Sequence, residues 1–161
     1  MLKPEIYTLD DAKKYLRNNF EDGCKCPACG QMVKLYKRKI TSSMAYGLII
    51  LSKKTSVGEY IHLLNFFKNI DYVPAGIVGD LPKLRWWGLI KESDEPKEDG
   101  NPNNGYYSLT SNGKLFVDDM ISVSKYVYLY NNKVQSRSDE QVKIKEALKD
   151  KFDYSEIMGL K

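Results

Sequence analysis

The sequence predicts an α+β protein, in which a helical core carries a two-stranded hairpin and smaller modules flank it at both ends. Three observations predict this class: an apolar helical stretch at 41–54, a helix–strand–polar loop–strand order in 79–113, and alternating residues at 126–130 followed by two asparagines. The predicted segments are 1–40, with a helix and a cysteine knuckle; 41–122, the core; and 123–161, a hairpin and a helix.

The first predicted element is a helix from Thr8 to Phe20. Thr8 is a favourable N-cap residue, and Asp10 and Asp11 suit the positive end of the helix dipole. The apolar positions expected on its packed face are Leu9, Ala12, Leu16 and Phe20.

The stretch from Cys24 to Gly30, CKCPACG, carries the most distinctive local chemistry. In a CPxCG knuckle a tight turn aims two thiolates at one point while backbone N–H groups stabilise their charge. A tetrahedral zinc site uses this arrangement twice. Since one knuckle is present, zinc would be held by Cys26 and Cys29, with Cys24 if the loop folds back.

Several interpretations of this knuckle stay open at this stage. The fourth zinc ligand could be His62, Asp22 or a residue of another subunit, although a single histidine is more often a packed residue. The knuckle could also be a tight turn without metal. A redox function is disfavoured, because no βαβ pattern surrounds the two cysteines.

Residues 31–40 are either a short strand or a basic linker. No Asp or Glu lies between Cys24 and Gly58, whereas seven Lys or Arg residues do. Phosphate contacts with one stacking ring would suit such a segment, the alternative being a solvated linker. The residues concerned lie beside Tyr36 and are Lys34, Lys37, Arg38 and Lys39.

The core begins with the clearest helix, from Thr41 to Lys54, which we expect Ser42 or Ser43 to cap. A short strand at 58–62 followed by a helix at 63–70 comes next, although periodicity also allows one helix over that whole stretch. Residues 71–78 would then form a turn between helices.

A second core helix is predicted from Asp80, as N-cap, to about Gly88, with Pro82 in its first turn. We expect its packed face to consist of Leu81, Leu84 and Gly88. Its outward face would carry Lys83 and Trp86, and Arg85 and Trp87 would lie on the flanks.

Leu89 and Ile90 then lead into a polar loop that returns as a strand at 106–110. Between Glu92 and Gly105 this loop holds five acidic residues and one lysine. Ser111-Asn112-Gly113 opens a further helix, expected to continue from Lys114 to Ser124.

The pattern L-x-x-x-G-L-I at 84–90, with Y-x-L-T-x-x-G at 107–113, resembles winged helix-turn-helix domains such as the MarR and PadR regulators. The resemblance covers roughly Thr41 to Met120 and implies a recognition helix followed by a wing. The whole chain also looks like bacterial and phage proteins with a CPxCG element ahead of such a domain, a similarity that supplies no activity.

The C-terminal segment predicts a hairpin whose turn, Asn131-Asn132, suits positive φ at both residues. Tyr126, Tyr128 and Tyr130 would share one face, as a stacking platform for bases or, more commonly, as aromatic packing onto a neighbouring helix. A charged helix is expected over 139–152 and a terminal turn over 154–160.

Other function classes are disfavoured by the composition. A charged run at 3–5 interrupts the apolar N-terminus, no stretch is apolar enough to span a bilayer, and three cysteines without a secretory signal suggest a bacterial or phage-infected cytoplasm. With one histidine and no phosphate-binding loop, we do not expect an enzyme.

The leading hypothesis is a transcriptional regulator that binds double-stranded DNA as a homodimer. Lys83, Arg85 and Trp86 would approach the major groove, and the basic residues near Tyr36 would contact phosphate. The alternative is a winged-helix factor that binds another protein, for example a phage protein acting on host machinery. An acidic wing and two tryptophans would suit such an interface.

Overall fold

The computed structural model describes residue 5, residues 8–95 and residues 105–160 of the 161-residue chain. It has the predicted mixture of helices and small antiparallel sheets, so the α+β class is confirmed. Residues 96–104 of the predicted acidic wing lie outside the described residues.

The helices and strands follow one another as a mixed series. The α-helices are α1 (Leu9–Asn19), α2 (Ser42–Lys54), α3 (Leu63–Lys68), α4 (Ile77–Asp80), α5 (Ser111–Val117), α6 (Ile144–Leu148) and α7 (Tyr154–Met158), with one 3₁₀ helix, η1 (Leu81–Trp87). The strands are β1 (Cys24–Lys25), β2 (Met32–Val33), β3 (Tyr36–Lys39), β4 (Ile61–His62), β5 (Ile90–Glu92), β6 (Tyr106–Leu109), β7 (Val123–Ser124), β8 (Tyr126–Tyr130), β9 (Lys133–Arg137) and β10 (Gln141–Val142).

The chain forms two compact units. Unit 1 comprises Met1–Arg38 and Val127–Arg137; unit 2 comprises Lys39–Tyr126 and Ser138–Lys161. Strands β8 and β9 share a three-stranded sheet with β3, whereas α6 and α7 pack on α2.

Unit 1 begins with α1, whose predicted cap is confirmed. The Thr8 hydroxyl accepts from the Asp11 N–H at 3.1 Å, and the Asp11 carboxylate accepts from the Thr8 N–H at 3.1 Å. Ala12 is buried as expected, but the prediction for Leu9 is wrong, because its side chain is 66% exposed at the first helical position.

The rest of unit 1 consists of two small sheets. Strands β1 and β2 form an antiparallel pair, and β3, β8 and β9 form the other sheet in the order β3-β8-β9. Residues 31–40 are therefore strand-forming rather than a linker. The predicted hairpin turn is also confirmed, with φ of 51° at Asn131 and 60° at Asn132.

Unit 2 is organised around α2, which packs against α4, α5, α6, α7 and η1. The hydroxyl of Thr41, rather than that of Ser42 or Ser43, caps this helix by accepting from the Met44 N–H at 3.2 Å. The side chains that α2 buries are Met44, Ala45, Leu48, Ile49, Leu51 and Ser52. Gly47 faces α4 so closely that an added Cβ would lie 2.6 Å from Ile77 Cδ1.

A three-stranded sheet, in the order β4-β6-β5, covers part of this core. Ile61 pairs with Tyr107, and Ile90 pairs with Leu109. Because β4 pairs with β6, the chain is extended at 61–62 before α3 begins. The alternative of one helix over 58–70 is therefore wrong.

The C-terminal helices are shorter than predicted. The helix expected to reach Ser124 ends at Val117, and Asp119 adopts a φ of 62°. Residues 123–124 instead pair with 141–142, so the helix predicted over 139–152 is wrong. Its helical part is α6 alone, which ends where Lys149 adopts a φ of 56°.

None of the described helices combines the length and the apolar character that crossing a lipid bilayer requires.

Candidate nucleic-acid interface and cysteine knuckle

The predicted recognition segment is a short α-helix that continues as a 3₁₀ helix. It starts at Ile77, before the predicted N-cap Asp80, whose side chain makes no capping hydrogen bond. Because a 3₁₀ helix has three residues per turn, its buried side chains recur at every third position: Leu81, Leu84 and Trp87.

This geometry corrects two predicted positions. Trp87, expected on a flank, is 6% exposed, and its Nε1–H donates to the Ser124 carbonyl at 2.8 Å. Gly88, expected on the packed face, is exposed and ends the helix with a φ of 72°.

The outward side of η1 is half-buried rather than bare. Lys83 Nζ lies 2.8 Å from a carboxylate oxygen of Asp80, and the two side chains are 42% and 38% exposed. Arg85 donates from Nη1 to the Pro82 carbonyl at 2.8 Å, and its guanidinium carbon lies 5.2 Å from the centre of the Trp86 ring. Both cations are therefore held by local partners while remaining partly open to solvent.

The two strands after η1 form a hairpin whose base is well ordered by pairing. The ladder runs from Ile90 opposite Leu109 to Glu92 opposite Tyr107, and the Ser93 N–H donates to the Tyr106 carbonyl at 2.9 Å. The described acidic side chains beyond it are solvated: Asp94 is 91% exposed and lies 4.0 Å from Lys91 Nζ. Any field from this region would therefore repel phosphate.

The two halves of the L-x-x-x-G-L-I and Y-x-L-T-x-x-G pattern meet in the structure. Thr110 donates from its hydroxyl to the Gly88 carbonyl at 2.6 Å, and from its N–H to the Leu89 carbonyl at 3.2 Å. A Cβ on Gly113 would collide with the same Leu89 carbonyl oxygen. The threonine and the glycine of the pattern thus fix the end of η1 against the start of α5.

The predicted phosphate-contacting residues lie on or next to an edge strand. Lys34 precedes β3, and Lys37, Arg38 and Lys39 belong to it; all four side chains are exposed. The Arg38 guanidinium carbon lies 5.7 Å from the centre of the Tyr36 ring, since residues two apart on a strand share a face.

The sheet that contains β3 has no acidic residue on any of its strands. Lys133 and Arg137 of β9 are exposed and add to the basic residues of β3. Sequence reasoning missed these two. The signal that could have found them is a second acid-free stretch, from Met120 to Ser138.

The tyrosines of β8 share one face, as predicted. Val127 and Leu129 are buried on the other face, whereas Tyr126 and Tyr128 are half-buried and Tyr130 is exposed. The Tyr130 ring lies edge-on to Phe20 at the end of α1, with centroids 6.4 Å apart. This contact corresponds to the packing interpretation for Tyr130.

The CPxCG knuckle forms the turn between β1 and β2. The Cys26 N–H donates to the Gln31 carbonyl, and the Gly30 N–H donates to the Cys26 carbonyl, both at 2.8 Å. The backbone N–H groups of Cys29 and Ala28, followed by the Cys29 thiol, hold the pKa of Cys26 below its usual value. Cys26 and Cys29 are thus adjacent, with the thiolate of Cys26 stabilised as the knuckle predicts.

Further ligands are less well placed in the described part of the chain, where no group of three or more His, Cys, Asp or Glu side chains could hold a metal ion. Cys24 lies on β1 opposite Val33. His62 belongs to unit 2, where its Nδ1 accepts from the Asn65 N–H at 3.4 Å as the cap of α3. Its ring lies edge-on to Tyr106.

Comparison of the chain with protein-family models, with curated proteins and with solved structures found no match. The resemblance to winged-helix regulators therefore depends on the residues and the geometry described above, and it stays a prediction.

Proposed function

We propose that unit 2 is a winged helix-turn-helix domain and that the chain is a DNA-binding transcriptional regulator of bacterial or phage origin. The observation that carries this proposal is the order of elements: α2, β4, α3, α4 with η1, β5, β6 and α5, with strands ordered β4-β6-β5. This order matches the helix, short strand, helix, turn, helix and two-stranded wing that the sequence pattern resembles.

In this proposal η1 is the C-terminal part of the recognition helix. Lys83, Arg85 and Trp86 are half-buried on the two rows of η1 that lie away from the buried row ending at Trp87, and the Trp86 Nε1 atom is itself buried. An Arg side chain held by Pro82 and stacked on an indole is preorganised, so it would lose little conformational freedom on reaching a base edge or a phosphate.

The basic strand β3 supplies the second part of the proposal. Its exposed lysines and arginine would contact phosphate without reading sequence, as such contacts fix register and supply salt-dependent affinity.

Titration of duplex DNA at several salt concentrations tests both parts. Lys83→Ala with Arg85→Ala should weaken binding and lower the salt slope by about 1 for each phosphate that the variant no longer neutralises. Lys37→Ala with Arg38→Ala should also lower the slope, while leaving the sequence preference of DNA selected from a random pool unchanged.

Lys13→Ala with Lys14→Ala, on the exposed side of α1, is the matched control, since it removes the same charge from a helix that includes neither η1 nor β3. If the η1 double variant binds DNA as this control does, the recognition-helix proposal is wrong.

A protein-binding factor is the second candidate, and a specific observation favours it. Asp80 neutralises Lys83, and the described acids after β5 are solvated, so the field near η1 is weakly positive at most. Absence of any DNA shift at low salt, together with a stoichiometric protein partner that the η1 variant no longer binds, would support this candidate and exclude DNA binding.

A further inference from the structure

The exposed turn between β1 and β2 carries two potential zinc ligands. Cys26 and Cys29 lie three residues apart on this turn, which the Gly30 N–H closes by donating to the Cys26 carbonyl at 2.8 Å. A structural zinc ion takes four ligands in a tetrahedron, commonly four thiolates. We propose that two copies of this chain share one zinc ion, which Cys26 and Cys29 of each copy bind.

The other cysteine and the histidine do not complete the site within one chain. All three cysteines and the histidine of the sequence fall among the described residues, where no group of three possible ligands assembles. Cys24 lies on β1 opposite Val33, and the Nδ1 atom of His62 caps α3. Two thiolates from a second copy are the simplest completion, because a two-fold axis through the metal makes both halves identical.

The shape of the knuckle permits this approach. Pro27, Ala28, Cys29 and Gly30 are all exposed, and no atom lies within 4 Å of the position that a Cβ on Gly30 would occupy. The turn at the end of the β1-β2 hairpin is therefore open to solvent and accessible to a second copy.

The charges near the knuckle are mixed. Four thiolates around one Zn²⁺ leave a net charge of −2. Lys25 and Lys34 of each copy would offset part of that charge, whereas Glu21 and Asp22 precede β1.

A metal would also serve a need of unit 1. Its buried apolar side chains among the described residues are Ala12, Val33, Val127 and Leu129, which is a small core. Small units of this kind gain stability from a metal or from association, and zinc binding energy is then folding energy.

The test measures zinc content and molecular mass on the same full-length sample after expression with added Zn²⁺. We expect about half an equivalent of zinc per chain and a dimer by light scattering, since one ion has four thiolates from two chains. Removing the metal with a chelator should give a monomer, and adding Zn²⁺ alone should restore the dimer.

Cys26→Ser with Cys29→Ser should abolish both zinc binding and dimerisation, whereas Cys24→Ser should leave both unchanged. Since the double variant could unfold unit 1, Co²⁺ replacement in the unaltered chain gives a second measurement: four thiolates predict the intense absorption of a tetrahedral all-sulfur site. One zinc per monomer, no zinc after metal-replete expression, loss of zinc in Cys24→Ser, or a Cys26–Cys29 disulfide in the isolated protein would overturn the proposal.

Zinc sharing and DNA binding are separate properties that the two experiments test independently. A zinc-bridged dimer that does not bind DNA would contradict only the DNA-binding proposal. A chain that binds DNA but contains no zinc would contradict only the zinc proposal.

Discussion

The two units of this chain differ in how they are held together. Unit 2 surrounds α2 with helices and buries complete side chains, such as Leu48, Leu84 and Phe116, at 0% exposure. Unit 1 buries few apolar side chains in its described part, and its sheet β3-β8-β9 carries cations and tyrosines on acid-free strands. Apolar burial is therefore extensive in unit 2 and sparse in the described part of unit 1, where exposed basic and aromatic side chains lie on the sheet strands.

The largest expected difference comes from truncating one core residue in each unit. Leu48→Ala on α2 should lower the free energy of unfolding by about 2–5 kcal/mol, because the cavity lies where α2 meets its neighbours. Val33→Ala in unit 1 should cost about 1–2 kcal/mol, because Val33 is 6% exposed and the change removes only two methyl groups. Urea unfolding followed by circular dichroism measures both values, and equal losses would break the comparison.

Two glycines of unit 2 test how closely η1 packs against α5. Gly113→Ala should destabilise the chain by about 1–3 kcal/mol, because the new Cβ would collide with the Leu89 carbonyl. That carbonyl belongs to the backbone, so it cannot move aside as a flexible side chain could. Gly79→Ala is the matched control. No atom lies within 4 Å of its Cβ position, and on α4 alanine should be neutral or stabilising by up to about 1 kcal/mol. A harmless Gly113→Ala would show that the η1–α5 junction is loose.

The smallest expected effect concerns a side-chain hydrogen bond of unit 2 and its dependence on high pH. The Tyr154 hydroxyl donates to the Val117 carbonyl at 2.7 Å, and burial, followed by Asp119 and Asp118, raises its pKa above the ordinary value of 10.0. The fold therefore favours the protonated phenol. The stability that this raised pKa contributes to the folded state is fully present below pH 10.0 and is lost as the pH rises through the folded-state pKa.

Tyr154→Phe should cost about 0.5–1.5 kcal/mol at neutral pH, from the missing hydrogen bond. It should also lose less stability than the unaltered chain when the pH is raised above 10.0. Because Tyr46 also has a raised pKa and is present in both proteins, the difference between their urea midpoints isolates Tyr154. Parallel pH profiles would contradict the prediction.

Signals from neighbouring residues in the sequence are sufficient to predict several elements of the fold. The Thr8 cap, the apolar α2 and the Asn131-Asn132 turn are written within a few neighbouring residues, so the sequence predicts them directly. The helix expected over 139–152 fails because β10 finds its partner, β7, far along the chain. Charge patterning indicates such helices, but no local pattern reveals that pairing.

The candidate site follows the same division. Leu81 and Leu84 fit both a 3₁₀ and an α-helical period, so only the structure decides that Trp87, and not Gly88, joins the buried row. The long acid-free run revealed the basic residues of β3, whereas their sheet partners β8 and β9 depend on a distant hairpin. The Cys26–Cys29 turn was recognisable because a four-residue motif contains its whole geometry.

The placement of the tryptophans gives the chain an optical probe. The sequence has two tryptophans, and they are consecutive in η1. The Trp87 indole donates to the Ser124 carbonyl, and the half-buried Trp86 ring lies next to the Arg85 guanidinium. Tryptophan emission, excited at wavelengths that tyrosine does not absorb, therefore originates from the segment proposed to meet a partner. We expect Trp87, at 6% exposure, to be shielded, and the half-buried Trp86, whose Nε1 atom is buried, to be partly quenched by an aqueous quencher. A bound molecule on this side of η1 would protect Trp86 from the quencher, without any label attached to the protein.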